Sequence, residues 1–496
     1  MAVATVLTRA QEGLAAPQVR VEVEVAGGLP ALVLVGLVEM AVRESRERVR
    51  AAIRASGFEF PHRRITVSLA PADLPKAGGR FDLAIAVGVL AATGQLPADC
   101  LASHEFLGEL SLTGQLRPVH ALLPALMAAG DAGRSCVVPA DCQGEASLLP
   151  SADIRLAGQL LDVARYLRGD GELPRPPDQA PALPGPDLAD LAEVRGQALA
   201  RRALEIAAAG GHHLLFVGPP GTGKSMLARR LPGLLPPLQE ADALQATALR
   251  SLIGEPVVAV THRPPFRSPH HTATAVALVG GGQSPRPGEI SLAHRGVLFL
   301  DELPEFPRRA LEALREPLET GHVSIARARR TVRYPASFQL LAAMNPCPCG
   351  FAGDSRRECH CSAGQIRRYQ SRVSGPLLDR LDLRVPLHWE LPVLEVEEAG
   401  AQESSAVVSA RVAAARARQL ARSGSCNSVL QEPELRRCCR PEPAARQLLA
   451  RAAEQLRLSA RSCQRVCRVA RTIADLDEAT DIGPAHLAEA LSLRQA

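Results

Sequence analysis

The sequence predicts an α/β fold, in which a P-loop nucleotide-binding core follows an α+β domain and precedes a helical one. The core is indicated by residues 218–225, which fit the pattern G-x-x-x-x-G-K-[ST]. They lie between an apolar run at 213–217, typical of a buried strand, and a helical pattern at 225–231. A second apolar run, at 296–302, ends in two acids. From residue 391 onward, Ala, Arg and Leu recur at helical spacing.

The length of 496 residues predicts two to four domains. Short β-rich runs alternate with helical patterns over residues 1–170, which we assign to an α+β domain. Residues 171–190 contain six prolines and predict an extended linker. The nucleotide-binding core then covers 191–390, and a helical lid domain covers 391–496.

Composition predicts a cytoplasmic protein with reduced thiols. The chain has 12 cysteines and no pattern typical of a signal peptide, which argues against a secreted disulfide scaffold. Its apolar runs at 29–38 and 83–92 are too short to span a bilayer, so we expect no membrane partner. Aromatic residues make up 3% of the chain, so stacking on bases is not expected to dominate any nucleic-acid contact.

The glycine-rich stretch predicts a binding loop for ATP. Of 57 basic residues only Lys76 and Lys224 are lysines, and a compact ammonium fits between phosphates where a planar guanidinium does not. A chance match in a glycine-rich loop is the alternative, which the strand–loop–helix context disfavours. The expected nucleotide-binding residues are Gly218, Pro219, Pro220, Gly221, Thr222, Gly223, Lys224, Ser225 and Met226.

Two further strand ends predict the chemistry around the phosphates. Asp301 is expected to hold Mg²⁺ together with Ser225, and Glu302 to polarise the attacking water. Asn345 follows an apolar run at 338–344 and can orient water near the γ-phosphate. The alternatives are a charged turn for the two acids and a surface cap for the asparagine.

Five segments resemble the magnesium-chelatase-like ATPases of the AAA+ superfamily, specifically the ComM/YifB group. These segments are 190–197, 218–225, 287–302, 374–383 and 458–475. The resemblance extends over the whole chain and implies an AAA+ P-loop core with a helical lid.

The resemblance also implies roles for individual residues. Asn345 corresponds to sensor 1, and Arg380 to the arginine finger given to a neighbouring subunit, which implies a hexameric ring. Arg461 best matches sensor 2, ahead of Arg465 and Arg471 in the same helical run. A surface ion pair with a neighbouring aspartate is the alternative for Arg380.

The N-terminal domain resembles the proteolytic domain of Lon-type proteases over segments 73–79 and 107–119. Those enzymes use a Ser–Lys dyad, in which the amine activates the hydroxyl. At the corresponding positions this chain has Arg80 and Leu123, so we expect a Lon-protease-like domain without peptidase activity. Lys76 is expected at the surface rather than in contact with a ligand.

A cluster of cysteines follows Asn345. Two close pairs bracketing a polar loop fit a zinc site, although their C-x-C spacing is tighter than the usual C-x-x-C. Free structural cysteines are the alternative, and His360 could replace one thiolate. The expected zinc ligands are Cys347, Cys349, Cys359 and Cys361.

Residues 321–335 alternate strongly, contain no acid and predict a basic β-hairpin. Its expected DNA-binding residues are Arg327, Arg329, Arg330 and Arg333. Related AAA+ helicases place such a hairpin in the central pore against the nucleic-acid backbone. A merely solvated hairpin is the alternative. His270 and His271 lie in an insertion between the P-loop pattern and the apolar run that ends in two acids, and could add a second loop that contacts DNA. A metal site at these histidines is less favoured.

The resemblance favours an ATP-hydrolysing hexameric motor on single-stranded or branched DNA, a helicase that promotes branch migration during recombination and natural transformation. A chelatase-type or protein-remodelling ATPase is the alternative, and the missing dyad weighs against a Lon-like peptidase.

Overall fold

The computed structural model describes residues 2–36, 40–177, 189–282, 285–327, 330–389 and 402–494. The chain divides into two compact units, the first comprising Met1–Leu183 with Thr247–Thr261 and the second Pro184–Ala246 with His262–Ala496. Residues 247–261, which we had included in the nucleotide-binding core, thus group with the N-terminal unit.

The first unit is built on a seven-stranded mixed sheet in the order β3-β4-β2-β1-β5-β8-β9. Its strands are β1 (Ala2–Arg9), β2 (Gln18–Ala26), β3 (Ala31–Val35), β4 (Arg64–Ala70), β5 (His104–Phe106), β8 (Ser135–Pro139) and β9 (Ile154–Ala157), with a separate pair β6 (Glu109–Leu110) and β7 (Leu116–Arg117). Its helices are α1 (Met40–Ala55), α2 (Asp82–Ala92), α3 (Leu123–Asp131), α4 (Gln143–Ala146) and α5 (Leu160–Arg168).

Helix α2 forms the centre of this unit, and all its residues are buried. A side chain at Gly88 would place its Cβ 2.6 Å from Val23 Cγ2, so the glycine allows the helix to lie directly on the sheet. The apolar run at 83–92 is therefore a core helix. Among the described residues, no helix has the length and apolar character needed to cross a bilayer.

The first residues of the predicted linker pack on the first unit. Leu173 is buried, and the Pro174 carbonyl accepts a hydrogen bond from the Leu156 N–H at 2.9 Å. Residues 171–175 thus pack on the first unit, because an apolar side chain and a backbone bond fix them there. Residues 178–188 lie outside the described part of the chain.

The second unit contains a five-stranded parallel sheet in the order β11-β14-β17-β10-β18. The strands are β10 (Leu214–Val217), β11 (Phe266–Arg267), β14 (Val297–Leu300), β17 (Gln339–Met344) and β18 (Leu383–Pro386); two antiparallel pairs add β12 (Gly280–Gly281) with β13 (Arg286–Pro287) and β15 (His322–Arg327) with β16 (Arg330–Pro335). Because carboxyl ends of parallel strands share one edge, β10, β14 and β17 bring three distant loops together.

Helices surround this sheet and continue to the C-terminus. They are α6 (Ala198–Gly210), α7 (Lys224–Ala228), α8 (Leu231–Leu234), α9 (Glu240–Leu252, shared between the units), α10 (Ala275–Val279), α11 (Glu289–Leu292), α12 (Arg308–Glu312), α13 (Arg315–Thr320), α14 (Ala363–Gln370), α15 (Gly375–Arg380), α16 (Ser405–Ser423), α17 (Glu432–Cys438), α18 (Pro443–Gln455), α19 (Ala460–Leu476) and α20 (Pro484–Ser492). Within the C-terminal helices, buried Asp475 accepts from Arg422 at 2.7 Å, Asn427 at 2.8 Å and Arg471 at 3.1 Å. This cluster joins α16, α19 and the turn between α16 and α17.

Candidate nucleotide site and cysteine cluster

The P-loop connects β10 to α7 and turns on glycines. Gly221 and Gly223 have φ of +81° and +86°, a left-handed conformation that a side chain would strain. The buried ammonium of Lys224 donates to the carbonyls of Gly218 at 2.7 Å and Pro219 at 2.8 Å, and to Asn345 Oδ1 at 3.1 Å. Burial lowers the pKa of Lys224, while Asp301 and Glu302 oppose that shift. The loop thus holds one cation at the sheet edge.

The two acids after β14 lie beside this loop. Ser225 Oγ donates to Asp301 Oδ2 at 2.5 Å, and Asp301 Oδ1 accepts the Glu302 N–H at 2.9 Å. A hydroxyl and a carboxylate at a P-loop are oxygen donors of the kind that Mg²⁺ prefers. These residues therefore fit a magnesium–nucleotide complex.

Glu302 also contacts a histidine that we did not expect to take part in catalysis. His271 Nδ1 lies 2.9 Å from Glu302 Oε2, and the His271 ring lies 4.1 Å, centroid to centroid, from that of His270. Among the described residues, the only group of Cys, His, Asp or Glu with metal-ligand spacing is the cysteine cluster, so the paired histidines show no metal geometry. The adjacent histidines were visible in the sequence, but their partner was not.

Asn345 lies at the end of β17 and joins two elements. Its side chain contacts Lys224, and its backbone hydrogen-bonds to Tyr369 on α14. Burial raises the pKa of Tyr369 to about 12, so the phenol is neutral near pH 7. No local pattern pointed to this tyrosine, which lies far along the chain from the strand it supports.

Arg380 ends α15, and its guanidinium bonds to Glu319 on α13. The neighbouring Asp379 and Asp382, expected as alternative partners, instead bind other arginines at 3.3 and 3.1 Å. The side chain of Arg380 is 11% exposed. An arginine finger would therefore have to exchange Glu319 for a nucleotide of a neighbouring subunit.

The three candidates for sensor 2 differ in their surroundings. Arg461 is exposed in the first turn of α19. Arg465, one turn further, donates to the Arg380 carbonyl at 2.7 Å, and Arg471 is buried against Asp475. The structure thus places the start of α19 next to Arg380, and among the described residues Arg461 makes no hydrogen bond or ion pair with the P-loop.

The four clustered cysteines converge directly after Asn345. Their sulfurs all lie within 4.8 Å of one another. The Sγ atoms of Cys347, Cys349 and Cys359 are separated by 3.3, 3.6 and 3.5 Å. A backbone hydrogen bond from Phe351 and bonding to the other thiols lower the pKa of Cys349 to about 6. The Cys349 side chain is therefore mostly a thiolate near pH 7.

The basic segment at 321–335 forms the antiparallel hairpin β15–β16. Arg333 is exposed and contacts His322 Nδ1 at 2.8 Å across the hairpin. Arg329 lies outside the described residues, as do the side chains of Arg327 and Arg330.

Arg80 and Leu123, at the positions where a protease dyad was expected, both interact with Glu145 in the first unit. Burial lowers the pKa of Arg80 to about 10 although Glu145 opposes the shift, and Glu145 also accepts the Leu123 N–H at 2.8 Å. The surface position expected for Lys76 was wrong: the residue is 0% exposed and donates to the Pro71 carbonyl. The turn after β4 folds over the ammonium, which a short local pattern did not reveal.

Comparison with known proteins agrees with these features. Three family models match: magnesium chelatase subunit ChlI over residues 190–392, another ChlI model over 21–142, and the ChlI C-terminal model over 402–494. "Uncharacterized protein YifB" of Salmonella typhimurium is 48% identical, over 100% of this chain and 97% of that protein. "Competence protein ComM" of Haemophilus influenzae is 47% identical, over 100% of this chain and 98% of that protein.

The chain is also similar, more distantly, to a subunit of an enzyme. The magnesium-chelatase 67 kDa subunit of Heliobacterium mobile is 27% identical over 37% of this chain and 32% of its own length. With near-complete matches at almost half identity, the chain belongs to the ComM/YifB family of magnesium-chelatase-like AAA+ ATPases.

Proposed function

We propose that this protein is an ATP-hydrolysing motor that acts on DNA as a ring of six subunits. In this proposal it is a helicase that promotes branch migration during recombination and natural transformation. The ATPase part is supported by Lys224, Asp301, Glu302 and Asn345, which meet at one edge of a parallel sheet.

The residues at this edge divide the work of phosphoryl transfer. Lys224 and the N–H groups of the P-loop bind the phosphates. Mg²⁺ held by Ser225 and Asp301 would supply charge neutralisation. Glu302 polarises the attacking water, and Asn345 orients it. Lys224 already lies 3.1 Å from Asn345 Oδ1, so binding of phosphate competes for the same ammonium.

Hydrolysis in this proposal requires a neighbouring subunit. Arg380 stabilises the charge that develops on the phosphates bound by the adjacent chain. In the single chain its partner is Glu319, which lies on the same unit and neutralises the guanidinium until a ring forms. An arginine supplied in this way makes turnover depend on assembly.

The DNA part rests on the hairpin β15–β16, which is arginine-rich and has no acid between residues 321 and 335. Such a hairpin suits a phosphate backbone, whose contacts carry no base sequence. The relative from Haemophilus influenzae is named a competence protein, which supports DNA as the polymer. Binding is then insensitive to base sequence and weakens steeply with salt.

The contact between His271 and Glu302 could couple DNA binding to ATP hydrolysis. At 2.9 Å from the carboxylate, His271 holds the group that must polarise water. A polymer that displaces the loop carrying His270 and His271 frees Glu302 for that role. DNA therefore stimulates turnover in this proposal.

The test is ATPase turnover of the full chain with single-stranded DNA, forked DNA or no DNA. Replacing Arg329 and Arg330 with Ala should remove stimulation and branch migration while leaving basal turnover largely intact. The slope of log K for DNA binding against log salt concentration should become shallower by about two, because two phosphate contacts are lost. Arg446 and Arg451, exposed on α18, provide a charge-matched double Ala control. A hairpin variant that moves a Holliday-type junction at the wild-type rate would show that the hairpin is not the element that binds DNA.

A chelatase-type or protein-remodelling motor is the second candidate, favoured by the similarity to a magnesium-chelatase subunit. This second function is preferred if the wild-type ring neither binds DNA nor unwinds forked DNA with ATP. In either case we propose that the N-terminal domain lacks peptidase activity, because Arg80 and Leu123 occupy the dyad positions. A covalent adduct of a serine-directed inhibitor before residue 170 would overturn this part.

A further inference from the structure

The four clustered cysteines have the geometry of a closed metal site. Three Sγ separations of 3.3, 3.5 and 3.6 Å are far longer than the roughly 2.05 Å of a disulfide. A tetrahedron with Zn–S bonds of about 2.3 Å has edges of about 3.8 Å, close to the observed spacing. All four sulfurs lie within 4.8 Å of one another, and the exposed His360 is not in the group.

Backbone groups around the sulfurs support the same geometry. The Ala352 N–H lies 3.3 Å from Cys347 Sγ, within hydrogen-bonding distance of the sulfur. Gly350 and Gly353 have φ of +88° and +79°, so the chain turns sharply on both sides of Phe351. Binding of a divalent cation would release the thiol protons and leave four thiolates as ligands. With four protein ligands and no open position, such a site is structural.

The segment that carries these cysteines, residues 346–362, lies against the nucleotide site. A Cβ at Gly350 would be 2.7 Å from Pro220 Cδ and 3.9 Å from Asn345 Cγ. At the first residue of the segment, the Pro346 carbonyl accepts a hydrogen bond at 3.1 Å from Gln370 on α14, the helix that follows the segment. The segment therefore touches the P-loop at its turn and is tied back to the end of β17.

We propose that Cys347, Cys349, Cys359 and Cys361 bind one Zn²⁺, and that the ion holds residues 346–362 against Pro220 so that nucleotide affinity depends on the metal. Without the ion, four thiols and two glycine turns leave this segment free to move away from the P-loop. The proposal concerns metal and nucleotide binding alone, so it stands or falls separately from any action on DNA.

The metal is tested by elemental analysis of the full chain purified under reducing, chelator-free conditions. About one zinc per chain is expected, and Cys359→Ser should lose it. Cys463→Ser, a change on α19 outside the cluster, is the control and should keep the zinc. Replacement by Co²⁺ should give the intense visible bands of a tetrahedral thiolate complex. Wild-type protein that contains no zinc, or contains iron instead, overturns the assignment.

The coupling is tested on wild-type protein, which avoids a variant that fails to fold. Zinc is stripped with a mercurial reagent and a chelator, and binding of a fluorescent ATP analogue is titrated before and after. Affinity should fall about fivefold or more and recover with Zn²⁺ but not with Mg²⁺. An unchanged affinity after complete removal of zinc overturns the coupling.

A glycine substitution tests the same contact without touching a thiol. Gly350→Ala should keep the zinc but weaken nucleotide binding, because the new methyl group would press on Pro220. Gly353→Ala is the matched control, since Gly353 has a similar left-handed φ of +79° but a Cβ there would have nothing within 4 Å. Equal nucleotide affinity of the two variants argues against contact through Gly350.

Discussion

Replacing Glu302 with Gln should stop ATP turnover while leaving nucleotide binding intact. The amide keeps the shape of the side chain but cannot polarise water as the carboxylate does. General-base catalysis contributes about 10²–10⁴-fold, so the barrier should rise by about 2.7–5.4 kcal/mol. The side chain of Glu302 is 53% exposed, so the change should not unfold the protein. The contact between Ser225 and Asp301, where Mg²⁺ would bind, is untouched.

Turnover is measured by phosphate release and binding by titration of a fluorescent ATP analogue. Glu305→Gln is the control, because Glu305 lies three residues further on and pairs with Arg372 at 2.7 Å. Lys224→Ala, in contrast, should abolish nucleotide binding itself. Full turnover in Glu302→Gln would refute the inference that the second acid after β14 polarises the attacking water.

Three further outcomes are expected. Arg380→Ala should bind ATP but not hydrolyse it, and mixing it with Glu302→Gln should restore turnover at interfaces that pair an intact finger with an intact site; absence of any recovery argues against a finger given in trans. The hairpin variant with Ala at Arg329 and Arg330 should bind DNA more weakly on every sequence tested, in a filter-binding series over salt. The second unit should lose stability as the pH falls below about 6.5, because burial lowers the pKa of His294 to about 4. The unfolded chain binds the proton first, so the contribution of His294 is fully present above pH 6.5 and about 2 kcal/mol of it is lost by pH 5; the difference in urea unfolding between wild type and His294→Gln measures it.

Much of the candidate nucleotide site was predictable because its residues stand at or shortly after the ends of apolar runs. Asp301 and Asn345 directly follow strands of β-type pattern, Lys224 ends the glycine-rich loop after another strand, and parallel strands place such ends together. The cysteine pairs were equally visible, because residues close in sequence are close in space. Family membership followed from the same contiguous motifs and was confirmed by near-complete matches.

The sequence by itself therefore determined which short segments are the candidates for chemistry: the P-loop, the acidic strand end, the cysteine pairs and the basic hairpin. Only the tertiary structure showed that His271 contacts Glu302, that Glu319 holds Arg380 and that Lys76 is buried. Local periodicity reports which face of an element is apolar, whereas the first two contacts join loops and helix ends that are far apart in the chain, and the burial of Lys76 depends on how the turn after β4 folds. Their partners are selected by the way the elements pack, and a one-dimensional pattern does not contain that information.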